Sequence, residues 1–208
     1  MQLPVETILD LLHEAYPDAD CALEYSTAHE LLFATIMSAQ TTDVNVNKVT
    51  SSLFKKYTTV KEFAEADLET LQDEIRSTGF FRNKAKNVIN SAQMIMDVHD
   101  GVVPQSIEEL TKMPGVARKT ANVVLGTHFG IPAGFVVDTH VKRIAFRLGL
   151  TEQTDPVKVE EDLMQLIPQA EWIFAAHAIV LHGRAVCDAK RPNCQECALV
   201  PICPQIGV

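Results

Sequence analysis

Through most of this chain the apolar residues return at intervals of three and four, and runs that alternate polar with apolar are nearly absent. In AHELLFATIMSAQ, Leu31, Leu32, Thr35 and Ile36 fall along one side of a 3.6-residue spiral; in NKAKNVINSAQMIMDVHDG, Val88, Ile89, Ala92 and Met96 do the same. A half-buried strand needs period two, so a chain patterned in this way builds its core from helices. The spacing predicts helices over residues 4–15, 28–38, 43–57, 60–65, 67–76, 82–99, 106–112, 117–129, 139–149, 155–166 and 170–185. Breaks fall at Gly79, at Asp100-Gly101 before Pro104, at Pro114-Gly115, from Gly130 to Gly134, and at Pro168. The expected fold class is all-α, made of short helices, with a domain seam near residues 130–137.

At 208 residues and 47% hydrophobic content, the chain can bury a core without disulfide staples. Its first residues, MQLPVETILDLL, lack a basic leader followed by an apolar run. No stretch reaches the roughly 18 apolar residues that span a bilayer. A soluble, intracellular, cytoplasmic monomer is expected, with no membrane partner and no nucleotide cofactor.

A net charge of −9 argues against nucleic acid as a partner only if the charge is evenly spread. It is not. Residues 1–75 carry 4 basic and 14 acidic side chains, residues 76–147 carry 10 and 5, and residues 148–208 carry 4 and 8. A positive middle suits a phosphate-binding face, because counterion release depends on the charges at the contact. A merely solvated basic face is the alternative.

That middle contains SIEELTKMPGVARKTANVVLG, which reads as a short amphipathic helix, a Pro-Gly-Val turn and a second helix from about Ala117, together spanning residues 106–129. Such a hairpin offers unpaired N–H groups to an anion, and Gly115 lets a phosphate approach the backbone. Val116, Ala117 and Arg118 complete the candidate contact, which would ignore base sequence. Lys119 follows in the first turn of the second helix. It reads either as one more phosphate contact or as a nucleophile, and the second role requires an environment that favours the neutral amine. Downstream, GFVVDTHVKRIAFRLG sets Asp138 at a helix start, where Asp is a favoured N-cap. It could also face Lys119 and take up a proton or stabilise positive charge on a sugar. Capping and catalysis coexist if only one carboxylate oxygen caps.

Four of the five cysteines crowd the end of the chain: Cys187, Cys194, Cys197 and Cys203 give C-x6-C-x2-C-x5-C. Thiolates at that density suit zinc or an iron-sulfur cluster, and the spacing does not choose between them. Lys190 and Arg191 lie between the first two, so a metal would order a loop that presents two cations. Cys21 stands apart and reads as a buried hydrophobe.

Taken in order, the helix-hairpin-helix with lysine, the Val-Asp-Thr-His that follows, the cysteine pattern after LHGR, and SAQTTDVNVNK near residue 40 resemble the endonuclease III family. These are helix-hairpin-helix DNA glycosylases that are also apurinic/apyrimidinic lyases. The resemblance implies a six-helix barrel over residues 21–131 and a second lobe of residues 1–20 plus 132–208, which carries a [4Fe-4S] cluster in the loop 187–203. It implies a cleft between the lobes, with Lys119 and Asp138 in it, and damaged double-stranded DNA as the partner. An oxidised or ring-saturated pyrimidine would be flipped out of the duplex. Lys119 would displace the base and form a Schiff base that nicks the strand by β-elimination, while Asp138 assists proton transfer. Gln40 would fill the gap left by the flipped nucleotide, with Phe80 as a wedge beside it. Three positions depart from the family pattern: Ala117 where the hairpin commonly has glycine, Phe80 where leucine is usual, and Ala22 where some members carry an acid. They bear on lesion preference, not reaction type. A monofunctional adenine or mismatch glycosylase, or a non-catalytic DNA-binding iron-sulfur protein, is the alternative; Lys119 disfavours the first, and the retention of both Lys119 and Asp138 disfavours the second.

Overall fold

A computed structural model describes residues 4–208, and these form two compact units. One is Cys21–Ile131; the other joins the chain up to Asp20 with Pro132–Val208. Among the described residues there are eleven α-helices and no strand, as the helical periodicity predicts. They are α1 (Val5–Ala15), α2 (Ala28–Ser38), α3 (Asp43–Lys56), α4 (Val60–Ala64), α5 (Leu68–Glu74), α6 (Phe81–Val98), α7 (Ile107–Leu110), α8 (Arg118–Phe129), α9 (Thr139–Arg147), α10 (Pro156–Leu166) and α11 (Trp172–Ala185). No helix among them is long and apolar enough to cross a membrane.

The Cys21–Ile131 unit is organised around α2. Leu31, Leu32, Phe33, Ala34 and Met37 have no exposed surface, so this helix is apolar on nearly every side and sits in the core. Helices α3, α6 and α8 pack on it. Fully burying each large apolar side chain is worth about 1.5–3 kcal/mol, which is what drives so many short helices together. Propensity alone could not hold them, since isolated helices under about 12 residues are marginal in water. Side-chain caps set their starts: Thr27 with Glu30, and Thr59 with Glu62, form reciprocal capping boxes at α2 and α4.

In the other unit, α1, α9, α10 and α11 bury Leu12, Phe135, Val141, Ile144, Leu163 and Ile179. Helices α9 and α11 cross closely at Gly183, where an added Cβ would lie 2.7 Å from His140 Nδ1 and 2.9 Å from Ile144 Cδ1. After α11 the chain has no further helix beyond a single 3-10 turn, Cys194–Glu196.

Some sequence expectations are corrected. The helix predicted over 106–112 is only α7, ending at Leu110, because Met113 precedes Pro114 and is biased away from helical backbone. The Thr111 hydroxyl donates to the Ile107 and Glu108 carbonyls and closes that end. Helix α9 stops at Arg147, short of the predicted 149, before Gly149 at φ 72°. Cys21 is half-buried and not a core hydrophobe.

Candidate functional site

The hairpin between α7 and α8 is fastened to α6. Met113 and Val116 are buried on either side of the turn, and the buried Ser91 hydroxyl of α6 donates to the Pro114 carbonyl at 2.9 Å. Gly115 has φ +78°, where a side chain is strained, and a Cβ there would fall 2.5–2.9 Å from the side chain of Asn87. The sequence reading explains this glycine by the approach of a phosphate; its own packing on Asn87 requires it as well. Ala117 is the N-cap of α8 and has no side-chain oxygen to cap with. Its carbonyl accepts from Ala121 at 3.0 Å, so the helix opens in the ordinary way but leaves its first-turn amides without a capping side chain from Ala117. Gly115, Ala117, Arg118 and Lys119 all reach solvent, and Lys119 is the second residue of α8. A rigid helix N-terminus with two cations beside it is a place for an anion.

Gln40 and Phe80 belong to the same unit and share an unusual backbone. Both have positive φ, 56° and 48°, although neither is glycine. Gln40 sits in the turn Ser38–Thr41, closed by Thr41 N–H donating to the Ser38 carbonyl at 3.2 Å. With Ala39 at φ −55°, ψ 118°, this is the turn type that ordinarily places glycine or asparagine where Gln40 stands. Phe80 precedes α6 in left-handed conformation and is 66% exposed, so it is not a core residue. The guanidinium groups of Arg76 and Arg82 each lie 5.1 Å from the ring of the next residue, Phe81. Strain of this kind, about 1–3 kcal/mol per residue, persists where surrounding structure enforces it and clusters at functional surfaces.

Asp138 belongs to the other unit and caps α9. The amides of His140 and Val141 both donate to its Oδ1 at 2.8 Å. Capping therefore uses one oxygen, and Oδ2 stands outside the cap, the arrangement that a second role for this carboxylate requires.

The four cysteines line one small apolar cavity with Ile144, Leu148, His182 and Leu199. Among the described residues no group of three or more His, Cys, Asp or Glu is arranged to hold a metal ion. Burial, reinforced by the neighbouring thiols, pushes Cys197 and Cys203 up from the ordinary thiol range, so a bound cation would be needed to hold them as thiolates. Two residues that sequence reasoning missed shape this loop from α9. Arg147, buried, donates to Cys187 Sγ at 3.2 Å and to the carbonyls of Asp188 at 2.7 Å and Ala189 at 3.0 Å. Arg143 donates to the carbonyls of Gly183 at 3.0 Å and Cys187 at 2.8 Å. Their i, i+4 spacing, which puts both on one face of α9, was the available signal. His182 lies between Tyr16, 3.0 Å from its Nδ1, and Cys197, 3.5 Å from its Nε2. Lys190 and Arg191 are exposed, and their amides donate to Asp188 Oδ1, which holds the Asp188 carboxyl below its usual range.

A pair of exposed side chains on left-handed backbone and a fastened hairpin with cations at a helix start suit a protein that binds nucleic acid, and four cysteines line one cavity. The chain belongs to the HhH-GPD superfamily of base excision DNA repair proteins, whose family model matches residues 33–169. It is 54% identical over 197 residues to endonuclease III of Synechocystis, covering 95% of this chain and 90% of the relative. It is 44% identical over 200 residues to endonuclease III of Bacillus subtilis, covering 96% and 91%. Among solved structures, a trapped endonuclease III–DNA covalent intermediate matches with TM-score 0.92 and 42% identity over 97% of this chain and 95% of that one. A thermostable thymine-DNA glycosylase shares the fold at TM-score 0.86 and 18% identity, covering 96% and 95%.

Proposed function

We propose that this protein is a bifunctional DNA glycosylase and apurinic/apyrimidinic lyase of base excision repair, acting on oxidised or ring-saturated pyrimidines in duplex DNA, with Lys119 as its nucleophile. The observation that carries the reading is the exposed amine of Lys119 on the second residue of α8, beside a glycine turn fastened to α6. Covalent capture of DNA by a relative of near-identical fold supports it.

In this mechanism the hairpin amides and Arg118 hold the phosphates beside the lesion, and the docked duplex displaces water from Lys119. Its nitrogen forms a bond to C1′ of the deoxyribose as the C1′–base bond breaks, and the base departs with a proton. Opening of the sugar ring at O4′ leaves an imine between C1′ and Lys119. Loss of a proton from C2′ then expels the 3′ phosphate by cleavage of C3′–O3′, and water releases the enzyme. Asp138 Oδ2 is the group assigned to move these protons, its partner oxygen being committed to α9. Gln40 occupies the place of the extruded nucleotide and Phe80 wedges the stack beside it.

Cys187, Cys194, Cys197 and Cys203 would hold a [4Fe-4S] cluster. The support is the chemistry of the donors and not their arrangement: four soft thiols line one cavity, and the guanidinium of Arg147 donates to Cys187 Sγ. When bound, the cluster supplies a covalent cross-link that orders residues 187–203 and so presents Lys190 and Arg191 to the DNA backbone.

The test is borohydride reduction during reaction with a duplex containing an abasic site. A protein–DNA adduct is expected with the native chain and none with Lys119→Ala. Persistence of the adduct in that variant would assign the nucleophile elsewhere; no adduct with the native chain would remove the lyase.

A further inference from the structure

Lys84 is a deeply buried ammonium that the mechanism leaves unused. It lies on the apolar face of α6, four residues before Val88, and only 4% of it is exposed. Its Nζ donates to the carbonyl of Thr78 at 2.7 Å, and burial pushes its ammonium down from the ordinary lysine range. A buried cation bonded to a neutral carbonyl is a costly device for stability alone. What it grips explains the choice. The backbone N–H of Lys84 donates to the Phe80 carbonyl at 3.2 Å while its side chain holds Thr78, so one residue spans Gly79 and Phe80 from both sides.

Asn45, at the start of α3, does the corresponding work between the two strained turns. Its Nδ2 donates to Thr41 Oγ1 at 3.2 Å, next to Gln40, and to the Ser77 carbonyl at 2.9 Å, ahead of Phe80. Since a carbonyl only accepts, the amide nitrogen must face Ser77, and its two hydrogens are matched by these two acceptors. The turns that carry Gln40 and Phe80 are thus tied through one amide.

We propose that Lys84 and Asn45 are positioning residues for base extrusion, holding the Gln40 and Phe80 turns in the left-handed conformations that aim these side chains at the DNA stack. The inference rests on the reading of Gln40 and Phe80 given above. Relaxation of either tie lets the turns leave their strained backbone, and the pair loses its preset aim.

The experiment uses Lys84→Met, which keeps the stem and removes the donor, and Asn45→Asp, which keeps the shape and removes both donors. Each is compared with the native chain on a duplex carrying 2-aminopurine opposite an oxidised pyrimidine, and on an abasic site in single-stranded DNA, which needs no extrusion. The 2-aminopurine signal and the duplex kcat are expected to fall about tenfold or more, toward the hundredfold that an ångström of misplacement can cost. Single-strand nicking is expected to stay within about twofold, thermal unfolding of Asn45→Asp to stay near native, and Lys84→Arg to restore part of the duplex rate. Unchanged duplex kinetics and fluorescence in both variants would overturn the proposal, as would an equal loss on the single strand. Failure of the underlying reading shows separately: Gln40→Ala and Phe80→Ala would then leave the native 2-aminopurine signal unaltered.

Discussion

The hairpin and the cysteine loop are both short irregular stretches between or after helices, yet they are held by opposite means. The hairpin is fixed by the protein alone: two buried apolar residues, a glycine that fits only against Asn87, and a hydroxyl from α6 on the Pro114 carbonyl. The loop from Cys187 onward has one 3-10 turn, and its start is gripped by the side chains of Arg143 and Arg147. Its thiols face a small cavity, and burial favours the protonated form of Cys197 and Cys203. One surface is preorganised by packing; the other is the loop that the proposed cluster would order. The largest effect should follow from breaking the second. If the proposed cluster couples metal binding to the folding of this loop, Cys197→Ala is expected to lose it and to abolish amide-exchange protection over residues 187–208, a cost of several kcal/mol. Protection of the α7–α8 hairpin should be unchanged. Loss of protection in both places would show that the hairpin too depends on the metal, and the contrast would fail.

A smaller effect sharpens the first half of the contrast. Gly115→Ala is expected to cost about 1–2 kcal/mol for its left-handed backbone, with more from the overlap with Asn87. In the double variant with Asn87→Ala the contacts with the Asn87 amide group are removed while its Cβ, 2.9 Å away, stays, so a thermodynamic cycle isolates the crowding by that amide from the remaining cost. A cycle that closes at zero would mean the turn shifts away from α6 without resistance. Below this stands Ser91→Ala, expected to destabilise by about 1 kcal/mol through one buried hydrogen bond, read from denaturant midpoints at constant slope.

The same contrast separates what could be read from the sequence and what could not. Helices were legible because their buried faces repeat, and each of the eleven lies within a few residues of its expected span. The end of α7 was not, since it turns on one residue before a proline competing with an amphipathic pattern. Lys119, Asp138 and the cysteines stood out because their chemistry is rare at such spacings. Asn45, Ser91, Asn87, Arg143 and Arg147 did not, because each acts through a contact 23–44 residues away, or in a turn whose strain no single residue type announces. Lys84 left a trace: a lysine in register with Val88 and Ala92 on a buried stripe is out of place, and an unexplained cation on an apolar face is a reason to look for the carbonyl it serves.

The smallest expected effect tests what the ordered loop is for. If the cluster's role is to present Lys190 and Arg191, replacing both with glutamine should leave folding, iron content and borohydride trapping intact and act on DNA affinity alone. Every phosphate that a cation ceases to neutralise takes about 0.9 off the slope of log affinity against log salt, so the double variant should flatten it by just under about 2, equally for damaged and undamaged duplexes. The Asp188 carboxylate, which shapes the loop through the amides of these two residues, does not depend on their side chains, so the loop's course should survive. A weakened affinity with an unchanged slope would mean the loop acts on DNA by shape. An unchanged affinity would leave the cluster a purely structural staple, and the difference between the two surfaces would lie in assembly and not in DNA contact.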